Sequence, residues 1–429
     1  MAKEGVQIGL LGLGNVGSGV MQVLSANREA IAAKAYGPLE VKRILVRDPT
    51  KARGAAVDPS LLTTDARDIL GDPEIDIVCE LMGGLEPAHR YVGEALERGK
   101  QVVTANKELM ARHGHALLAE AARRRQDIYF EGAVAGGIPI IRPLKEDLAA
   151  NRITRISGIL NGTTNYILTR MAADGKEFAA ALAEAQALGF AEADPSYDIE
   201  GRDAAYKIAI LAAIAFHTPV DVERVYHEGI TRVSPRDIVH ARDLGYVIKL
   251  VATASEEEGA IDVRVHPALV PTGHPLASVN DVFNAVLLHG DAVGDVMFFG
   301  RGAGSLPTGS AVVGDLIDVA RNLRFGATGR VACTCHFNKR LREMAELHTE
   351  NYMRLLAVDR PGVIAAIAGV LGENQVSIDS VVQKGAQDNL AEIIWVTHPA
   401  PEASFRAALA RIAELPVVHE ICSVIRVVR

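Results

Sequence analysis

The sequence predicts an α/β fold class: a Rossmann-type doubly wound parallel sheet, a central α+β domain and a C-terminal ferredoxin-like domain. Three observations carry this. A glycine turn, GLGNVG, joins a strand-like run to a helix-like run near the N-terminus. Strand and helix patterns then alternate through the first third of the chain, as a parallel sheet requires. Residues 350–429 read strand, helix, strand, strand, helix, strand.

The bulk numbers set limits. A chain of 429 residues is too long for one core, so two or three domains are expected. Its 49% hydrophobic and 23% charged residues are those of a globular protein. A formal net charge of −8 argues against nucleic acid, which needs clustered Lys and Arg. The apolar run Ile208 to Phe216 is too short to span a bilayer, so no membrane partner is expected. Glycines in the N-terminal apolar run argue against a signal peptide. The four cysteines include one close pair, Cys333 and Cys335 in CTC. That is not CxxC spacing, and it reads as free thiols in a reducing compartment. A cytoplasmic protein is the expectation.

In VQIGLLGLGNVG, Gly12 makes a tight turn and Gly14 lets the backbone approach a pyrophosphate. Gly17 lets helix and strand pack closely, and the helix N-terminus faces the phosphate charge. Asn15 and Val16 sit in the same turn. The second strand ends in Arg47-Asp48, with Lys51 and Arg53 following. Asp48 suits the ribose 2′-hydroxyl of NAD; the cations suit a 2′-phosphate or form a solvated turn. NADP is favoured over NAD. Further on, QVVTANKELM is a strand ending at Thr104 and Lys107, where ligands of such sheets bind. The expected cofactor contacts therefore include Thr104 and Lys107. In EGAVAGGIPII a sharp bend frees carbonyls that need a donor, water or a cation. It reads either as a monovalent-cation site or as a tight turn entering a helix at Pro139.

In the middle, Ile153 to Leu160 is a strand, and Asn161 to Asn165 is a polar turn suited to a polar substrate or to helix capping. In AEADPSYDIEGRDAAYKIAIL, five carboxylates (Glu192, Asp194, Asp198, Glu200, Asp203) precede Lys207 and an apolar run. Asp203 and Lys207 are four apart and share one face of a buried helix. They form a structural ion pair or a polar pocket in which the lysine faces a substrate oxygen. In the second reading Glu192, Asp198 and Asp203 hold a cationic group, which suggests an amino acid. Next, SPRDIVHARDLG is a helix capped by Ser234. YVIKLVATA, IDVRVHPALVP and AVLLHG are strands and a natural dimer interface.

GLGNVG, TANK, EGAVAGGIPII, LNGTTNYIL, AEADPSYDIEGRDAAYKIAIL and GRGAG occur in this order. Together they closely resemble homoserine dehydrogenase of the bacterial type with an appended regulatory ACT domain, over essentially the whole chain. The resemblance implies NAD(P)-dependent interconversion of L-homoserine and L-aspartate 4-semialdehyde, on the route to threonine, methionine and isoleucine. It implies Lys207 as proton donor and acceptor at the substrate oxygen and Lys107 as the second active-site lysine. Glu192 matches a substrate-binding carboxylate, and Asp203 the residue orienting substrate beside Lys207. Glu131, Val134, Gly136 and Ile138 match a sodium site, and Gly189 and Gly304 later cofactor contacts. The DRPGV turn and the small-residue helix after it resemble an ACT domain, which implies an amino-acid effector, threonine first, or a degenerate domain kept for assembly. A homodimer or homotetramer follows.

The expected domains are 1–140 for the nucleotide, with a returning helix at about 305–325; 141–304 for substrate and dimerisation; a linker at 326–349; and the ACT domain at 350–429. Two other readings remain: a non-catalytic amino-acid sensor, and a Rossmann enzyme for another amino-acid-derived alcohol or aldehyde.

Overall fold

The computed structural model describes residues 5–51, 57–330, 333–387 and 389–428. The chain divides into two compact units. The first holds residues 1–160, 206–225 and 283–339; the second holds 161–205, 226–282 and 340–429. The chain leaves and re-enters each unit, and the helix expected to return at about 305–325 falls in the first.

In the first unit six parallel strands form one sheet: β1 (Val6–Leu11), β2 (Leu39–Leu45), β3 (Leu62–Thr63), β4 (Ile77–Glu80), β5 (Gln101–Thr104) and β6 (Ile128–Tyr129). Their order is β3-β2-β1-β4-β5-β6, so the winding reverses between β1 and β4. A ligand crevice opens at such a reversal. Strands β4 and β5 are buried at every position, so their apolar residues Ile77, Val78, Cys79, Val102 and Val103 run on without alternation.

The helix Ser305–Phe325 returns to this sheet. Its Val312, Leu316 and Val319 join Ile8, Leu10, Ile44 and Ile77 in one core. It packs on the helix Asn15–Ala26 so closely that a Cβ on Gly19 would lie 2.0 Å from the Ser305 carbonyl oxygen. The unit also carries an antiparallel group in which Phe283–Gly290 pairs with Gly294–Arg301 and Ile153–Ile159. The strand Gly294–Arg301 alternates half-buried and exposed positions, with Met297 and Phe299 exposed.

In the second unit, Tyr246–Glu257 and Ala260–Pro271 form a long hairpin in continuous register. Glu258 and Gly259 both have positive φ in its two-residue turn, the geometry that matches strand twist. Residues from 348 onward form the expected βαββαβ unit. Its antiparallel strands lie in the order Val418–Val427, His348–Val358, Leu390–Thr397, Ile378–Gln387. Trp395, Phe405, Leu355 and Ile367 fill its core. The last strand also pairs with the hairpin, Ala268 with Arg426 and Leu269 with Val427. The ferredoxin-like part thus joins the second unit's sheet through this pairing.

Ser234 caps the helix Pro235–Asp243 through a reciprocal box with Asp237. Asp237 is fully buried and accepts from Arg354 Nε at 2.6 Å. Arg354 also donates to Glu392 at 3.1 Å, and Glu392 meets His240 at 3.0 Å. No helix among the described residues is long and apolar enough to cross a membrane.

Candidate active site and nucleotide crevice

The crevice of the first unit is a cavity of about 720 Å³ lined by Gly14, Asn15, Ser18, Arg47, Lys51 and Tyr91 among others. Each glycine of the turn has a distinct reason to be there. Gly12 has φ +102°, and a Cβ on Gly17 would lie 2.5 Å from the Gly12 carbonyl oxygen. A Cβ on Gly14 would meet nothing within 4 Å, so that side is open to a ligand. The helix Asn15–Ala26 has no side-chain cap and no acid in its first turn. Its N–H groups and positive end are therefore offered to an anion. Asn15 is held from behind, its carbonyl accepting from Ser305 Oγ at 2.6 Å. Val16 turns inward to the core. Gly304, at φ +124°, turns the chain into the helix that supplies Ser305. A pyrophosphate fits this cradle.

Arg47 and Lys51 line the cavity beside Asp48. The Asp48 carboxylate closes its own turn, accepting from the Thr50 backbone at 2.8 Å and the Thr50 hydroxyl at 2.6 Å. Arg53 lies outside the described residues.

Thr104 is fully buried, and its hydroxyl donates to Glu80 at 2.6 Å instead of facing the cavity. Burial pushes the Glu80 carboxyl up, against the hydrogen bonds from Thr104 and the Met82 and Gly83 backbone. Sequence reading passed over Glu80, because only the pairing of β4 with β5 brings it to Thr104. Lys107 opens the helix Lys107–Arg124, which is capped by Asn106 through Leu109 N at 3.0 Å. Asn106 is pinned in turn to the Gly84 carbonyl at 2.6 Å.

Glu131 has a structural task. Its carboxylate accepts from the backbone of Ile140, of Ile141 at 2.7 Å and of Arg142 at 2.9 Å, capping the helical segment that follows. Three backbone N–H groups therefore fix the side chain in place. Val134, Ala135 and Ile138 are buried around a turn in which Ala135 and Gly136 both have positive φ. A Cβ at Gly136 would lie 2.4 Å from the Gly302 carbonyl oxygen. This packed turn of buried backbone suits carbonyl ligation of a hard monovalent ion.

The helix Arg202–Ala215 carries Asp203, counted with the second unit, and Lys207, counted with the first. Lys207 is 8% exposed on an otherwise apolar stretch, and its ammonium donates to the Leu160 carbonyl at 2.7 Å. That carbonyl follows the strand Ile153–Ile159, so the strand end aims the lysine.

In the second unit Asn161 organises two of the carboxylates. Its side-chain oxygen caps the helix Gly162–Asp174, while its amide donates to Asp198 at 2.7 Å and Asp203 at 2.9 Å. Thr163 adds a bond to Asp198 at 3.0 Å. Glu192 is exposed. Of the other two acids, Asp194 accepts from the Ser196 backbone and Glu200 pairs with Arg202. The five carboxylates are therefore not one cluster. Gly189 ends the helix Phe178–Ala187 in a left-handed conformation, φ +75°.

A parallel sheet wound 3-2-1-4-5-6, a glycine cradle at its reversal and a lysine at a neighbouring strand end define a dinucleotide-dependent α/β oxidoreductase. Family models agree and go further. "Homoserine dehydrogenase, NAD binding domain" matches residues 12–131, "Homoserine dehydrogenase" matches 139–317 and "ACT domain" matches 352–417. A homoserine dehydrogenase of Synechocystis is 47% identical over 98% of this chain and 99% of its own length. A crystal structure of a homoserine dehydrogenase from Thiobacillus denitrificans superposes with TM-score 0.94 at 45% identity, over 99% of this chain and 98% of that one. A hyperthermophilic archaeal homoserine dehydrogenase in complex with NADPH superposes with TM-score 0.63 at 28% identity, covering 75% of this chain and 98% of that one. The chain belongs to the homoserine dehydrogenase family, the NAD(P)-dependent oxidoreductases that interconvert L-homoserine and L-aspartate 4-semialdehyde, here in the form with a C-terminal ACT domain.

Proposed function

We propose that Lys207 transfers the proton in this reaction, with Lys107 as the second active-site lysine. The observation that carries this is one buried ammonium, aimed by the Leu160 carbonyl, on an apolar helix. Burying such a charge is costly unless it is paired or hydrogen-bonded, and the Leu160 carbonyl is one such partner. The nicotinamide supplies or accepts the hydride when bound. Lys207 gives its proton to the carbonyl oxygen of the semialdehyde as that oxygen becomes an alkoxide, and takes it back in the oxidative direction. Glu192, Asp198 and Asp203 bind and orient the substrate, with Asn161 and Thr163 holding the two aspartates in place. Reduction of NADP+ or NAD+ that depends on added homoserine, followed by absorbance, tests the reading. No such reduction would refute it.

NADP is the preferred cofactor in this reading, because Arg47 and Lys51 line the crevice while Asp48 is occupied by Thr50. The archaeal relative's NADPH complex points the same way. Replacing both Arg47 and Lys51 by serine removes two charge-assisted hydrogen bonds, each worth about 1.5–3 kcal/mol. KM for NADP+ should rise at least ~10-fold, with KM for NAD+ nearly unchanged. Equal losses for the two cofactors would reverse the assignment.

The turn at the carbonyls of Glu131, Val134, Gly136 and Ile138 is proposed to hold a monovalent cation, sodium first. Its role is to stiffen the chain between β6 and the next helix. The ACT domain is proposed to bind an amino-acid effector, threonine first, at its DRPGV turn. Cutting the chain near residue 350 is a poor test, since it strips a strand from the Ala260–Pro271 edge and leaves Asp237 without Arg354. Asp359→Ala, in the exposed turn, is the better one. It should raise the threonine concentration for half-inhibition roughly tenfold or more, as loss of one charged hydrogen bond does. Turnover without threonine should stay as it was. Inhibition unchanged by the substitution would place the effector elsewhere. A cytoplasmic homodimer or homotetramer completes the proposal.

A further inference from the structure

We propose that His115, Cys333 and Cys335 form a binding site for a thiophilic divalent cation of the zinc class, with three protein ligands and one open position. All three residues belong to the first unit, and none lines the nucleotide crevice. His115 Nδ1 and the two sulfurs lie within 4.8 Å of one another. The Cys333 sulfur is 3.7 Å from His115 Nδ1. In a tetrahedral zinc site with ordinary bond lengths, adjacent ligand atoms are about 3.6–3.8 Å apart. The Cys333–His115 pair therefore already has the spacing of two corners of such a tetrahedron, the other two spacings are at most 4.8 Å, and both cysteines are free thiols.

The chemistry of the set is selective. Two thiols and an imidazole suit a soft or borderline cation and not magnesium or calcium. Loss of both thiol protons on binding supplies two negative charges against the two positive charges of the ion. The Cys335 backbone N–H already points at the Cys333 sulfur at 3.4 Å, the kind of outer hydrogen bond that orients a thiolate ligand. The cysteines and His115 form part of the wall of a cavity of about 520 Å³, whose apolar lining includes Phe130, Ala213 and Val220. With all three residues on this wall, a fourth ligand taken from the cavity would be water or a small molecule. Cys335 now donates to the Ala213 carbonyl at 3.6 Å, and ligation would replace that weak bond. An occupied site would tie the 333–335 segment to the helix Lys107–Arg124.

The test is a cobalt titration of the reduced, metal-free, full-length protein. One equivalent per chain should produce thiolate-to-cobalt charge-transfer absorption in the near ultraviolet and d–d bands in the visible, both removed by zinc. Cys333→Ser and Cys335→Ser should each lose most of the charge-transfer intensity. His115→Ala should move the titration to higher cobalt, and Cys422→Ser should change nothing. Absence of the bands, or their persistence in both Cys333→Ser and Cys335→Ser, overturns the site. Where a serine variant fails to fold, zinc protection of Cys333 and Cys335 from alkylation, mapped by peptide mass, reads the same property in the unaltered chain. Thiols alkylated equally fast with and without zinc overturn it as well.

Discussion

Lys207→Ala should lower kcat about 10²–10⁴-fold in both directions, the usual contribution of a positioned acid–base group. KM for the nicotinamide cofactor should hardly move, because the crevice around Gly14 does not include this lysine. The substitution also takes the ammonium from the Leu160 carbonyl, and an unsatisfied buried acceptor costs about 1–3 kcal/mol. A merely structural lysine would therefore show a lowered unfolding midpoint and a modest, uniform loss of activity. Acid–base chemistry would show the loss in kcat alone, with the protein still folded. Lys207→Arg keeps the charge but cannot give up a proton near neutral pH, so it should not restore turnover. A folded Lys207→Ala protein oxidising homoserine at the unaltered rate would remove the mechanism.

Arg354→Ala should cost about 3–5 kcal/mol of stability, measured by denaturant unfolding. The side chain is buried and bonded to Asp237 and Glu392, and Ser423 and Tyr352 also bond to Asp237. Removing the guanidinium leaves two carboxylates in a site built for a cation. Burial acts most strongly on Asp237 and raises it. Even so, the donors from Arg354, Ser234 and Ser423 together hold its carboxyl below the ordinary value. Glu392 is lowered in the same way, with His240 and Arg354 overcoming burial. A carboxylate depressed in the folded state stabilises fully above its unfolded value of about 3.9 for Asp. That stabilisation is lost as the pH falls through the folded value. The gap between the unaltered and Arg354→Ala proteins should therefore be wide at neutral pH and close in strong acid. A gap independent of pH would mean that lost packing, not charge, sets the cost. Because Arg354 and Asp237 touch, Arg354→Met together with Asp237→Leu should cost less than the sum of the two single changes.

The features legible beforehand are those whose parts adjoin in the chain. Gly12 has the positive φ and Gly17 the close approach read from the motif, since strand, turn and helix there are contiguous. The βαββαβ order of the last third is likewise a sum of local periods. The features that were not legible depend on partners far apart. The task of the Glu131 side chain could not be read locally, since it caps the segment at Ile140–Arg142, nine to eleven residues on. Thr104 suggested a cofactor contact, yet its hydroxyl goes to Glu80 on the adjoining strand. The carboxylates before Lys207 read as one group, but Asn161 selects Asp198 and Asp203 from them.

By itself, the sequence determined the strand–glycine–helix phosphate cradle, the alternation that makes a parallel sheet, the apolar helix bearing Lys207 and the ferredoxin-like end. Each is written in backbone preference and hydrophobic period, which act over a few residues. Only the tertiary structure decided which polar groups meet: Lys207 with Leu160, Arg354 with Asp237, and His115 with a cysteine 218 positions away. A buried charge or thiol takes its partner from whatever chain the packed core brings beside it, and no local period encodes that choice.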